Sequence, residues 1–211
     1  MNSSDFVDRL SQLSFPNVFN PYRDSCEEHD HAGSASIRRL NLERYLSAVV
    51  DRGAASLWLG RDCGYRGGRR TGIALTDEMQ LETLQRHFGF DGISKATVGT
   101  PMKERTATEV WKIIPEVNAK VFLWNVFPFH PFESGNPMSN RRHTMREFDE
   151  CKDLLAGLIL WLQPMRILAL GADAQRALMK LGFSATLVRH PSYGGHIEFA
   201  ATIRSLYRTA R

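Results

Sequence analysis

Apolar positions along the chain follow two spacings that alternate with each other. Short, largely apolar runs of strand length occupy residues 56–60, 120–127, 166–170 and 185–188. Between these runs, apolar residues recur every three or four positions, as they do on the buried face of an amphipathic helix. Because strands alternate with helices, we expect an α/β fold in three layers, with a four-stranded, mainly parallel central sheet between helices.

Polar residues predict where several helices begin. Asn41 is a candidate N-cap for the helix before the first strand, and Thr76 for a helix that Gly89 ends. Residues 106–109 and 144–147 both have the sequence of a capping box, in which a Thr and a Glu three positions later bond to each other's backbone. The apolar spacing adds one helix after the third strand and another after the fourth.

Two segments fall outside this alternation. Residues 1–36 carry turn signals, so we expect an irregular N-terminal segment within a single domain that spans residues 1–211. Residues 128–143 form a long loop rich in Pro and Asn. Long loops without secondary structure are uncommon in compact domains and are often functional, so this loop is a candidate part of a functional site.

The composition is that of an ordinary globular protein and sets few limits. The 211 residues are 43% hydrophobic and 24% charged, enough for one sizeable core. No apolar run is long enough to cross a bilayer and no signal peptide is visible, so we expect a cytoplasmic protein with no membrane partner. We also expect a monomer. The net charge of +4 permits a polyanionic partner without requiring one.

The cysteines and one acidic segment bear on metal binding. Cys26, Cys63 and Cys151 are too few and too scattered for a disulfide framework, which fits a reducing compartment. Residues 26–31 contain the Cys-x-x-His spacing of a zinc site. No convincing second pair of ligands completes that site, so we interpret the segment as a solvated acidic loop and expect no bound metal.

Polar residues suited to catalysis stand at the ends of three predicted strands. The first strand leads into residues 60–65 (Gly-Arg-Asp-Cys-Gly-Tyr), the second ends on Asn125, and the fourth leads into residues 190–192 (His-Pro-Ser). Open α/β sheets bind ligands beyond the carboxyl ends of their strands, so these residues could line one crevice. Each also has a structural interpretation, because Asp is common in turns and a lone His or Asn at a strand end often only caps it.

Taken in order, the three motifs resemble those of the uracil-DNA glycosylase superfamily. Residues 60–65, continuing to the Thr-Gly-Ile-Ala-Leu of residues 71–75, are similar to the superfamily's first motif without a gap. Asn125 is similar to its base-reading asparagine, and residues 190–192 to its His-Pro-Ser signature. The resemblance covers the chain from about residue 55 to about residue 207, the range that one α/β domain needs.

This resemblance implies an enzyme of base excision repair. It implies a DNA glycosylase that hydrolyses the N-glycosidic bond of uracil in DNA, releases free uracil and leaves an abasic site. Asp62 would activate or position water, His190 would stabilise the departing uracil anion, and Asn125 would read the base. No cofactor is implied, because the iron–sulfur cluster of some branches normally takes four thiolates and this chain has three cysteines.

The chemistry of the reaction suits these residue types. As the bond breaks, the sugar gains oxocarbenium character, which a carboxylate stabilises, and the base gains negative charge. A neutral imidazole N–H is sufficient to stabilise that charge. A side-chain amide complements the O4 acceptor and N3 donor of uracil, whereas cytosine reverses that edge.

The resemblance and the neighbouring side chains supply two wider sets of site residues. Those expected to contact the base are Gly60, Gly64, Tyr65, Leu75 and Phe127. Those expected to contact DNA are Arg61, Arg69, Arg70, Arg141, Ser192, Tyr193 and Gly194. Arginines concentrate in the predicted site loops, which favours phosphate contacts. A duplex base would have to be flipped out of the stack before Asp62 could reach its sugar.

Three residues depart from the family's first motif. Cys63 stands in place of a proline, Gly64 in place of a tyrosine and Leu75 in place of a base-stacking phenylalanine. They leave open an alternative function, a non-catalytic protein that binds uracil or damaged DNA on the same fold. An unrelated α/β hydrolase that acts on a small nucleoside is a third hypothesis. The presence of both Asp62 and His190 favours the enzyme, because a binding protein needs no carboxylate to activate water.

Overall fold

The structure is a computed structural model that describes residues 2–192 and 194–208. Its helices are α1 (Ser3–Gln12), α2 (Ser34–Arg52), α3 (Gly68–Thr71), α4 (Leu81–Phe88), α5 (Arg105–Ile113), α6 (Met145–Leu162), α7 (Ala172–Lys180) and α8 (His196–Tyr207). Its strands are β1 (Val18–Phe19), β2 (Ser56–Asp62), β3 (Val121–Phe127), β4 (His130–Pro131), β5 (Arg166–Leu170) and β6 (Thr186–Val188). None of the described helices is long and apolar enough to span a bilayer.

Four strands form the central sheet in the spatial order β3-β2-β5-β6, and every neighbouring pair is parallel. The predicted α/β fold with a mainly parallel sheet is confirmed. β3 is buried along its whole length and β2 along most of it, which explains why both appear in the sequence as apolar runs. In their register, Gly60 lies opposite Asn125 and Asp62 opposite Phe127. The carboxyl ends of the four strands therefore share one edge.

Helices cover both faces of the sheet. On one face, Phe6 of α1 packs against Trp124 of β3, with ring centroids 5.7 Å apart. Trp58 of β2 lies opposite Leu123 in the register and therefore points to the other face, where it packs against Phe199 of α8 at 6.1 Å. The sheet is thus the middle of three layers, as the alternation of strands and helices predicts.

The N-terminal segment forms regular structure, which corrects the expectation of an irregular stretch over residues 1–36. α1 begins after Asn2, whose side chain accepts a hydrogen bond from the Asp5 N–H at 2.8 Å. The helix buries Phe6 and Leu10 in the same core as the central sheet. Because α1 is short, its apolar spacing repeats too few times to be distinguished in the sequence from the turn signals that follow.

The predicted helix starts have mixed outcomes. Asn41 lies inside α2 rather than before it, and its amide donates to the carbonyl of Ser94 at 2.7 Å. α5 begins after Glu104, so Thr106 is part of its first turn and does not cap it. The capping box at Thr144 is confirmed with both of its hydrogen bonds.

Before α4, the helix cap lies close to the predicted residue but is not that residue. A single 3-10 turn precedes this helix, and its N-cap is Asp77, which accepts from the Met79 N–H at 3.0 Å. The Thr76 hydroxyl donates instead to the carbonyl of Ala74, so the predicted cap is wrong by one residue. Gly89 ends α4 in the left-handed conformation, as predicted.

Candidate active site

The residues of the three motifs come together at the carboxyl edge of the sheet. Asp62 is the last residue of β2, Asn125 lies near the end of β3, and His190 follows β6. β5 separates β2 from β6 and is followed by Gly171. Gly171 lies beside His190: an added Cβ would be in ordinary van der Waals contact with the Cβ of His190, at 3.4 Å.

Asp62 is held by side chains rather than by its own turn. One carboxylate oxygen, Oδ2, accepts from Nε of Arg61 at 2.5 Å, and the other, Oδ1, accepts from Nδ1 of His143. Its side chain is 5% exposed. This buried carboxylate accepts from a guanidinium on one oxygen and from an imidazole on the other. It therefore differs from the solvated aspartate of an ordinary turn.

Arg61 connects the Asp62 carboxylate to α7. Its Nη1 donates to Asp173 at 3.0 Å, and Asp173 also pairs with Arg142 and Arg176. Burial would raise the pKa of Asp173, but the hydrogen bond from Arg61 and the charges of the arginines hold that pKa below its usual value. Arg61 is one of the residues predicted to contact DNA. Its side chain is 31% exposed and so remains accessible to a phosphate.

His190 has a fixed tautomer and is neutral. The backbone N–H of Ser192 donates to Nδ1 at 3.2 Å, and the Ser192 hydroxyl lies 2.7 Å from the same nitrogen. Because Nδ1 accepts, the proton of the ring is on Nε2. Burial, followed by the charges of Arg61 and Arg189, lowers the pKa of His190 to about 4. At neutral pH the ring therefore offers an Nε2–H donor and no net charge.

Asn125 is close to the motif but turned into the protein. Its side chain packs over Gly60, where an added Cβ would lie 2.5 Å from the amide, and the residue is 1% exposed. The amide fits best with its oxygen accepting from the Cys63 N–H at 3.2 Å and its nitrogen donating to the carbonyl of Trp124 at 3.3 Å. A base would have to draw the amide away from these partners to be read by it.

The remaining residues expected at the base have different surroundings. Gly64 is half-buried, and Tyr65 is half-buried with its N–H donating to Asn140 at 3.1 Å. Leu75 is buried against Gly60, with a backbone φ of 54°. Phe127 is fully buried and its ring packs against other aromatic rings, so the prediction that it contacts a base is corrected.

Two of the arginines expected to contact DNA are buried inside the protein. Arg69 is 5% exposed, lies 4.0 Å from the ring centroid of Phe19 and donates to the carbonyl of Pro137 at 2.5 Å. Arg70 is 5% exposed and pairs with Glu78 at 3.1 Å. A buried guanidinium is stable only with such internal partners, so neither side chain is available to a phosphate and this prediction is corrected.

Arg141 is half-buried and also has a structural role. It makes two hydrogen bonds with the carboxylate of Glu147, at 2.7 and 2.9 Å, and its side chain is 17% exposed. It also donates to the carbonyls of Phe132 and Asn17. Its donors already hold the loop of residues 128–143, and its contact with DNA stays a prediction.

Other basic and polar groups remain on the surface of this edge. Arg66, Arg142 and Arg189 are exposed, and the site loops carry them. Ser192 is half-buried beside His190, and Gly194 is exposed with a φ of 82°. Tyr193, also expected to contact DNA, lies outside the described residues.

His143 is a site residue that the sequence interpretation missed. It ends the long loop, and its ring packs against Phe127 and Phe148, with centroids 5.3 and 5.9 Å away. The length of that loop, and its end beside the capping box at Thr144, were the signals that could have found it.

Two other features lie apart from Asp62. In the acidic segment 26–31, Asp30 pairs with the buried Arg38 at 3.0 Å, and no cluster of potential metal ligands occurs within the described ranges. A surface groove of about 590 Å³ lies beside Val117 and Asn118, which precede β3. It is therefore at the opposite edge of the sheet from Asp62.

Comparison with known proteins gives the family and supports the fold. The family model described as the uracil DNA glycosylase superfamily matches residues 51–205. No curated protein sequence matches the chain. Among solved structures, the crystal structure of wild-type SMUG2 from Pedobacter heparinus is similar, with 16% sequence identity and a TM-score of 0.62 over 98% of this chain and 97% of that chain. At that identity the likeness concerns the fold.

Proposed function

Because the chain belongs to the uracil DNA glycosylase superfamily, we propose that it is a DNA glycosylase that hydrolyses the N-glycosidic bond of uracil in DNA. The observation that carries the proposal is the pair of groups at one edge of the sheet. Asp62 offers a carboxylate, and His190 offers a neutral ring with its proton on Nε2. We propose that it acts as a cytoplasmic monomer and releases free uracil.

In the proposed reaction, the bond between the sugar C1′ and the base N1 breaks, and both electrons leave with the base. Asp62 stabilises the cationic sugar, positions a water whose oxygen bonds to C1′, and accepts a proton from that water. The Nε2–H of His190 donates a hydrogen bond to the oxygen of the uracil anion. Because the pKa of His190 is about 4, the ring is uncharged at neutral pH and stabilises the anion through the hydrogen bond from its Nε2–H.

DNA is proposed to bind across the exposed arginines of this edge. Arg61 is the one that also touches Asp62, so a phosphate that attracts Arg61 would free Oδ2 of Asp62 for water. Arg66, Arg142 and Arg189 would supply further phosphate contacts from the surrounding loops. A uracil in duplex DNA would have to leave the stack, at a cost of about a few kcal/mol.

Asn125 is proposed to read the base once its amide turns from Cys63 and Trp124 toward it. The Asn125→Asp variant should shift preference from uracil toward cytosine, because a carboxylate oxygen accepts from the amino group that cytosine presents. Excision from matched duplexes with uracil or cytosine measures the shift. Selectivity equal to that of the wild type would count against Asn125 as the reading residue.

A non-catalytic uracil-binding protein is a second candidate, and one observation favours it. Both oxygens of Asp62 are already bonded to side chains, so neither is free to bind water. A duplex with one uracil, incubated with the protein and then with alkali, separates the two functions. Cleavage at the uracil position indicates a glycosylase. A retarded complex without cleavage at any time indicates a binding protein.

A further inference from the structure

His143 lies outside the three motifs, yet it contacts the carboxylate proposed to act on water. Its Nδ1 is bonded to Oδ1 of Asp62. An ionised carboxylate can only accept, so Nδ1 must carry the proton of the ring. The two side chains are 11% and 5% exposed, which shields the contact from solvent.

The ring of His143 packs against two aromatic rings. Its centroid lies 5.3 Å from that of Phe127 of β3 and 5.9 Å from that of Phe148 of α6, with interplanar angles of 31° and 29°. These contacts restrict the orientation of the imidazole and so the direction of its Nδ1–H bond.

The backbone on each side of His143 is fixed as well. Arg141, two residues earlier, bonds to both carboxylate oxygens of Glu147. Thr144, the next residue, donates its N–H to Oε2 of the same Glu147 at 2.6 Å. One carboxylate in the first turn of α6 thus anchors the end of the loop that delivers the imidazole.

The two oxygens of Asp62 are held in different ways. Oδ1 is bonded to His143, which is shielded and anchored. Oδ2 is bonded to Arg61, which is 31% exposed and has a second partner in Asp173. Of the two contacts, the one at Oδ2 is therefore the easier to release.

We propose that His143 is a positioning residue that holds Oδ1 of Asp62, so that Oδ2 is the oxygen that contacts the attacking water. This inference rests on the proposed function, because it takes Asp62 to act on water. The donor property of the ring, and not its bulk, is what the site uses.

Two substitutions separate these properties. His143→Phe keeps an aromatic ring against Phe127 and Phe148 but presents a C–H to Oδ1. His143→Asn loses the ring, yet its amide nitrogen is the same number of bonds from the backbone as Nδ1. His29→Phe, at a partly exposed histidine away from the site, is the matched control.

The measurement is the single-turnover rate of uracil excision, together with DNA affinity and thermal stability. We expect His143→Phe to lower the rate by about 10- to 100-fold at unchanged affinity, because a misplaced catalytic group costs that much. His143→Asn should recover most of the loss despite lower stability, and the control should match the wild type. A Phe variant as active as the wild type, or an Asn variant that is the less active of the two, would overturn the inference.

Two further measurements keep this result separate from the proposed function. If Asp62→Asn retains the wild-type rate, the role assigned to Asp62 is wrong. If that variant is inactive while His143→Phe is fully active, only the positioning role is wrong. Independently of activity, ¹⁵N NMR of the imidazole should report a proton on Nδ1 of His143, and a neutral ring protonated on Nε2 would contradict the inference.

Discussion

Low pH should destabilise the folded protein through His130, which lies near the start of the loop that carries His143. His130 is fully buried; its Nε2–H donates to the carbonyl of Ser139 at 2.7 Å, and its Nδ1 accepts from Nη1 of Arg69 at 3.1 Å. Burial, and next the charge of Arg69, lower the pKa of His130 to about 4. A proton on Nδ1 would replace the hydrogen bond from Arg69 with repulsion between two cations.

The direction of the stability change follows from the pKa values of His130 in the folded and the unfolded chain. The folded value of about 4 lies below the ordinary 6.5, so the unfolded chain takes up the proton first as the pH falls. The stability is therefore fully present above pH 6.5 and is lost as the pH falls toward 4. At pH 5 the loss amounts to about 2 kcal/mol for this one residue, because each tenfold difference in proton affinity between the folded and unfolded chains is worth about 1.4 kcal/mol.

Urea unfolding at pH 7 and pH 5 measures this loss. The pKa values of His87 and His190 are also lowered to about 4, so the wild type should lose stability through all three residues. The His130→Gln variant cannot titrate at this position, and its loss between the two pH values should be smaller than that of the wild type by about 2 kcal/mol. An equal loss in the two proteins would refute the reasoning.

The remaining predictions concern packing and charge at the site. Gly60→Ala should destabilise the protein by about 1–3 kcal/mol in urea unfolding, because its Cβ would lie 2.5 Å from the amide of Asn125 and 2.9 Å from Leu75; an unchanged midpoint would contradict the close packing. Arg142→Ala should weaken DNA binding and reduce its salt dependence with little change in stability, since its side chain is 70% exposed. Arg69→Ala should instead lower the melting temperature, and a variant that loses DNA affinity at unchanged stability would contradict a buried, structural Arg69.

The parts of the fold that were predictable are those with a strong local signal. β3 is buried on both faces, so its apolar run gave its bounds within one residue. The capping box at Thr144 specified a helix start because both of its bonds form within one turn. Asn41 has the same side-chain chemistry as a cap, but its tertiary partner Ser94 decides its place, and that partner is distant in sequence.

The candidate site was predictable as a location and less so as a set of contacts. The motifs at Asp62 and His190 specify strand ends, and a parallel sheet brings such ends to one edge. An arginine in the sequence does not reveal whether it faces solvent, so Arg69 and Arg61 looked alike, although one is buried against Phe19 and the other is partly exposed. His143 reaches Asp62 from another part of the chain, and only the packing of the loop brings the two together.

The central claim is that the Asp62 carboxylate acts on the bond between uracil and its sugar. The most direct test is the single-turnover rate of uracil excision from duplex DNA by Asp62→Asn, measured beside its DNA affinity. We predict that the rate falls by about 10²- to 10⁴-fold, as expected for the loss of a general base, while the variant still binds the duplex. A variant that excises uracil at the wild-type rate would contradict the account.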